Sequence, residues 1–138
     1  MAITQALCTS FKQELFEGVH DFSSTGDTFK IALFTSSATL DASTTAYSTT
    51  NEVTGTGYTA GGNTLSNVAP VSSGTTAYID FADTVWTSSS ITAAGALIYN
   101  SSKSNRAVAV LSFNGDKSST SGDFTVEFPT ADATSAIV

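Results

Sequence analysis

Apolar residues recur along this chain at two different periods, and the switch between them marks out its elements. Near the start Leu7, Phe11, Leu15 and Val19 fall at every fourth position, which places them on one stripe of a helix. The helix is expected to begin at Ser10, where Ser10 and Gln13 could form a capping box, or near Thr4. Gly18, followed by His20, Asp21 and Phe22, suits its end. Lys12, Gln13, Glu14 and Glu17 fall on the outer face. This N-terminal helical segment, residues 1–22, either covers one edge or end of a sheet or acts as an assembly arm that docks on a neighbour.

After Gly26 the period drops to two. Within Asp27 to Thr35, Phe29, Ile31 and Leu33 face one way and Lys30, Ala32 and Phe34 the other, which predicts a strand. Residues 38–67 then form an excursion rich in Ser, Thr, Gly and Asn, anchored only by Tyr47, Val53, Tyr58 and Leu65. Gly55, Gly57, Gly61 and Gly62 read as turn residues, and one or two short strands are expected at an exposed tip or in contacts.

The second half is more regular. Ala77, Ile79 and Phe81 alternate in a half-buried strand that leads to Val85 and Trp86. Ile91 to Asn100 is another strand, and Ala107 to Phe113 is apolar on both faces, as a central strand should be. Asn114-Gly115 reads as a tight turn, and Phe124, Val126 and Phe128 alternate up to a closing Pro129. Strands joined by polar turns without intervening helices predict a mainly β domain over residues 1–138. The expected fold is an antiparallel β-sandwich, or a flattened barrel, with one N-terminal α-helix.

Composition narrows the function. Ser and Thr make up nearly a third of the 138 residues, only 12% are charged, and the net charge is −7. The acidity and the scattered basic residues argue against nucleic acid as a partner, with Lys103 and Arg106 read as a solvated turn. The first residues lack a basic, apolar leader, and no apolar run is long enough for a membrane helix, so synthesis and folding in a cytoplasm are expected. Asn100-Ser101-Ser102 matches a glycosylation acceptor, which carries little weight without such a leader.

Chemistry has little material. Cys8 and His20 are the only residues of their kinds. On one helix they would stand roughly 18 Å apart, beyond a nucleophile–base hydrogen bond. Cys8 reads as a small buried apolar residue, and His20 as a helix-terminus residue satisfied by backbone or water. No Gly-x-Ser-x-Gly elbow and no phosphate loop is present. Asp80, Asp83, Asp116 and Asp123 read as turn-capping residues rather than calcium ligands or a glycosidase pair. Trp86, Tyr47, Tyr58 and Tyr99 are the aromatic candidates for binding a sugar, though a core or interface place suits them better. No catalytic, cofactor-binding or metal residue is assigned, and the chain is not expected to be an enzyme.

Several segments resemble small virion proteins of tailed bacteriophages, particularly aquatic ones. They are Thr9-Ser10-Phe11-Lys12-Gln13-Glu14-Leu15, Asp27-Thr28-Phe29-Lys30-Ile31-Ala32-Leu33, Gly55-Thr56-Gly57-Tyr58-Thr59-Ala60-Gly61-Gly62, Ala96-Leu97-Ile98-Tyr99-Asn100 and Gly122-Asp123-Phe124-Thr125-Val126. The resemblance implies a structural virion component that carries no catalytic residues. The leading expectation is a multicopy capsid decoration or cement protein, homo-oligomeric and bound to the major capsid protein or other virion proteins. A tail or fibre component, such as a glycan-binding adhesin, is the alternative. A small polysaccharide hydrolase is the distant third.

Overall fold

A strand with apolar side chains on both faces is stable only when both faces are covered, so the most apolar runs belong at the centre. In the computed structural model, which describes residues 2–128, these runs are β2 (Phe29–Phe34), β7 (Thr92–Asn100) and β8 (Arg106–Ser118). They pair antiparallel and are flanked by two short strands, β1 (Ala6–Leu7) and β3 (Asn63–Thr64), in the order β1-β8-β7-β2-β3. Ile31, Ala32, Leu33, Leu97, Ile98, Val108 and Val110 are fully buried there. The fold is mainly β and sandwich-like, with antiparallel sheets and one short N-terminal helix, as the patterning predicts.

The rest of the chain covers this sheet. On one face Phe22 stacks on Phe29 at 4.3 Å, Phe81 lies 5.6 Å from Phe29, and Phe11 meets Phe22 edge-on. Phe81 ends a ribbon of β4 (Asn67–Ser73) and β5 (Thr76–Phe81). A second ribbon, β6 (Thr84–Ser89) with β9 (Gly122–Val126), buries Trp86, Phe124 and Val126. The first ribbon stands further out. Most of β4 is exposed, it pairs only with β5, and its register shifts between Val68 and Val71, around Pro70.

The helix is shorter than its stripe suggests. α1 spans Thr9–Phe16, because Leu7 is held in β1 opposite Ala109 and Gly18 terminates the helix at φ +72°. The Gly18 and Val19 amides bond back to the Leu15 and Glu14 carbonyls, which is a Schellman closure. Neither expected start is used. Cys8 is the N-cap without a side-chain bond, Ser10 Oγ makes no hydrogen bond, and the Thr9 amide is taken by Ala42 O at 2.8 Å. Of the stripe, Phe11 is buried but Leu15 is 47% exposed. Glu14, placed on the outer face by periodicity, points inward.

Two other expectations change. Residues 38–67 do not form an exposed tip. Ala38, Leu40, Val53 and Leu65 are buried, and the segment bonds along the edge of β2 through Val53 N to Leu33 O and Thr35 N to Asn51 O. Asn114-Gly115 does not turn the chain. It lies inside β8, where Gly95 pairs with Ser112 but Ala93 pairs with Lys117, so the residues between them bulge out of the ladder. Asn114 and Gly115 supply the positive φ values, 56° and 118°, that this bulge requires. Phe128 is half-buried beside Phe81 at 6.0 Å, and Pro129 lies outside the described residues.

Candidate functional site

Three features could carry function: two buried carboxylates, an apolar groove and a hydroxyl-lined face. The first carboxylate is Glu14, on the inward side of α1. Arg106 Nη1, at the start of β8, donates to its Oε2 at 2.7 Å, and His20 Nε2 lies 2.9 Å from its Oε1. Asn100 Nδ2, at the end of β7, reaches both His20 Nδ1 at 2.9 Å and Asp27 Oδ2 at 2.8 Å. Asn100 donates to both, so His20 Nδ1 is an acceptor and the ring proton sits on Nε2, facing Glu14. Asp27 also accepts from the Asp21 amide at 3.0 Å and lies 3.7 Å from Lys103 Nζ. Six side chains thus tie the helix, the 20–27 segment and the β7–β8 turn together. Burial opposes the charge on Glu14, but hydrogen bonds from His20 and Arg106 outweigh it and hold the carboxyl below its ordinary value. Asp27 is lowered in the same way: burial opposes it, and the Asn100 and Asp21 bonds prevail.

The second carboxylate, Glu52, is 8% exposed in the middle of the 38–67 segment. Tyr47 Oη donates to its Oε2 at 2.7 Å, while Tyr58 Oη and the Gly61 amide donate to its Oε1 at 2.6 and 2.8 Å. Tyr58 Oη also accepts from Leu33 N at 2.9 Å, standing where a strand carbonyl would stand on the edge of β2. Tyr99, stacked on Tyr47 at 4.5 Å, donates to Gly61 O at 2.7 Å. Gly62 makes this cage possible: at φ +76° a methyl group there would come within 1.8 Å of Ile31 O. Burial pushes the Tyr47 and Tyr58 hydroxyls well above their ordinary value, with the bond to Glu52 adding to it. Burial and the Glu52 charge push Tyr99 up to about 12.

The sequence candidates fall into place around these networks. Cys8 is fully buried, and burial, with Asp41 and Glu14 nearby, pushes its thiol up to about 11. His20 is satisfied by the Glu14 and Asn100 side chains, and neither of its nitrogens faces a hydroxyl. Lys103 and Arg106 stand at the β7–β8 turn, 42% and 46% exposed, and each also pairs with a carboxylate. Asn100 of the glycosylation triplet has no exposed surface. Trp86 and Tyr99 are buried, and Tyr58 stacks on Trp86 at 5.9 Å, so these rings are in the core. Asp83 accepts from the Phe128 amide at 2.7 Å, a capping role. Among the described residues no three His, Cys, Asp or Glu side chains are grouped to hold a metal ion. Nor is any helix there long and apolar enough to cross a membrane.

No protein-family model, curated protein or solved structure matches this chain.

Two surfaces remain. A groove of about 180 Å³ lies between α1 and the β4–β5 ribbon, lined almost wholly by carbon. A larger hollow of about 460 Å³ is lined by Ser37, Thr39, Asp41, Ser43, Thr44 and Thr50, among others, with Phe34 and Leu97 also in its wall. Glu14, Glu52, Asp27 and Asn100 were missed by periodicity. Only Asp27 and Asn100 stand beside strand-forming apolar runs, the one signal the sequence offers for them.

Proposed function

We propose that this chain is a structural protein of a tailed-bacteriophage virion, a multicopy decoration protein that stabilises the head by contacts with the major capsid protein. The observation that carries this reading is the ordered, hydroxyl-rich face of the 38–67 segment, on which Asp41 is the one charged residue. Glu52 and its phenol donors fasten the segment to the sheet, leaving Thr39, Ser43, Thr45, Ser48 and Thr50 at the surface. Short hydroxyl side chains lose less rotamer freedom on being covered than Lys or Glu, and they bring no charge to desolvate. Such a face is suited to burial against protein. The segments shared in pattern with phage virion proteins support the same reading.

In mechanism, the protein contributes adhesive area across capsomer junctions and resists outward pressure from packaged DNA. Each contact is modest, and many copies act together. The chain is made in the host cytoplasm and resides in the virion.

Stoichiometry tests the proposal. Quantitative mass spectrometry of purified particles is expected to give hundreds of copies per virion, on the scale of an icosahedral lattice, with electron cryomicroscopy placing them on the head. A handful of copies at the tail would replace this reading with that of a tail component.

A further inference from the structure

Asn114 and Gly115 lie where β8 leaves its ladder. Ser112 pairs with Gly95 and Lys117 with Ala93, so residues 113–116 stand opposite the single position of Ala94. Both residues are exposed, and a methyl group added at Gly115 would meet nothing within 4 Å. The Asn114 backbone amide reaches Ser112 Oγ at a long 3.3 Å, and among the described residues its side chain bonds nothing. The other asparagines differ. Asn51, Asn63, Asn67 and Asn100 all donate their side-chain amides to oxygens or to His20. Asn105 is the near counterpart, exposed and at φ 58° against 56° for Asn114. It is followed by Arg106, whose amide is held by Lys103 O at 3.2 Å.

We propose that Asn114 is a self-modifying site, at which the chain deamidates without an enzyme. The inference does not depend on the virion reading. The Gly115 nitrogen gives its proton to hydroxide and attacks Asn114 Cγ. A new C–N bond forms, and the side-chain nitrogen leaves as ammonia, taking a proton from water as it goes. The cyclic imide left behind is opened by water at either of its carbonyls, which breaks one C–N bond. One opening leaves an aspartyl residue, and the other an isoaspartyl residue whose backbone runs through the former side chain. One water is taken up and one ammonia released.

The local structure favours the attack in two ways. Gly115 has no Cβ to screen its nitrogen, and its backbone turns freely. The attack also requires the Asn114–Gly115 peptide to swing toward the side chain. Inside a regular ladder that swing breaks paired hydrogen bonds, whereas here neither residue is paired across to β7. The product is absorbed for the same reason. A bulge that already sets four residues against one takes an extra backbone carbon without moving the pairs on either side. Each event adds one negative charge, two positions from Asp116, to a chain of net charge −7.

The test is a time course of the full chain in warm, mildly alkaline buffer, read by peptide mapping and mass spectrometry. The peptide containing position 114 is expected to gain the mass difference between an amide and a carboxylic acid. It should split into aspartyl and isoaspartyl forms. Conversion there should outrun conversion at Asn105 by at least about tenfold. Asn114→Gln, whose longer side chain closes a less favourable ring, should abolish the mass gain. Asn114→Asp, which carries the added charge from the start, should melt together with the wild type. A folded chain that keeps its amide at 114 while the same chain unfolded in guanidinium chloride loses it would overturn the proposal. So would equal conversion at Asn105, or a mass gain in that peptide that survives Asn114→Gln. An Asn114→Asp variant that melts well below the wild type would overturn the claim that the bulge absorbs the change.

Discussion

Glu14 and Glu52 are both buried carboxylates, yet they are held by opposite means. Glu14 faces a guanidinium and an imidazole, and its network ends on Lys103. Glu52 faces two phenols and a backbone amide, and among the described residues no cation pairs with it. The first is an ionic joint between the helix and the sheet. The second is a cage of neutral donors that pins a long polar segment. A buried carboxylate needs its lone pairs filled, and full-charge partners are only one way of filling them.

Removing each acid separates the two cases. Glu52→Ala orphans two phenol hydroxyls and one amide at once, and should cost about 3–5 kcal/mol in urea unfolding, the largest effect expected here. Glu14→Ala leaves His20 without its partner, but Arg106 is 46% exposed and can rehydrate, so about 2–3 kcal/mol is expected.

The two sites should also fail at opposite ends of the pH scale. The Glu14 and Asp27 carboxyls lie below their ordinary values of 4.5 and 3.8 in the folded protein. Their stabilisation is complete above those values and is lost as pH falls through the lowered ones. The Tyr47, Tyr58 and Tyr99 hydroxyls lie above their ordinary value of 10.0, so the cage is intact below pH 10 and weakens as pH rises beyond it. Thermal melting across pH, repeated on Glu14→Gln and Tyr99→Phe, should flatten the acid limb in the first and soften the alkaline limb in the second. Loss of the alkaline limb in Glu14→Gln would break the comparison.

Smaller changes sharpen it. Tyr47→Phe leaves Glu52 with two of its three donors and should cost about 1 kcal/mol, with little dependence on salt. Lys103→Ala removes a partner that is 42% exposed and 3.7 Å from Asp27, and should change stability by less than about 0.5 kcal/mol.

The strands were legible because each is a local pattern. Phe29 to Phe34, Thr92 to Asn100 and Arg106 to Phe113 announce themselves through neighbours one or two residues away. The networks were not legible, since Glu14 meets Arg106 across 92 positions and His20 meets Asn100 across 80. That distance also explains the helix error. Glu14 looks like a surface residue until the guanidinium of β8 draws it inward, which leaves Leu15 and Phe16 outside. The 38–67 segment has too few large apolar residues to announce its burial. It is held by phenol hydroxyls, whose contribution no hydrophobic period records. β4 escaped because Pro70 and a register shift interrupt its alternation.

Pro70 has a consequence for how such molecules live together. Crowded β-rich chains are in danger of zipping rim to rim into fibres, backbone against backbone. The exposed strand β4 lacks an amide at Pro70 and shifts register there, so its free edge is a poor template for a neighbour to extend. Contact along that rim is left to its side chains.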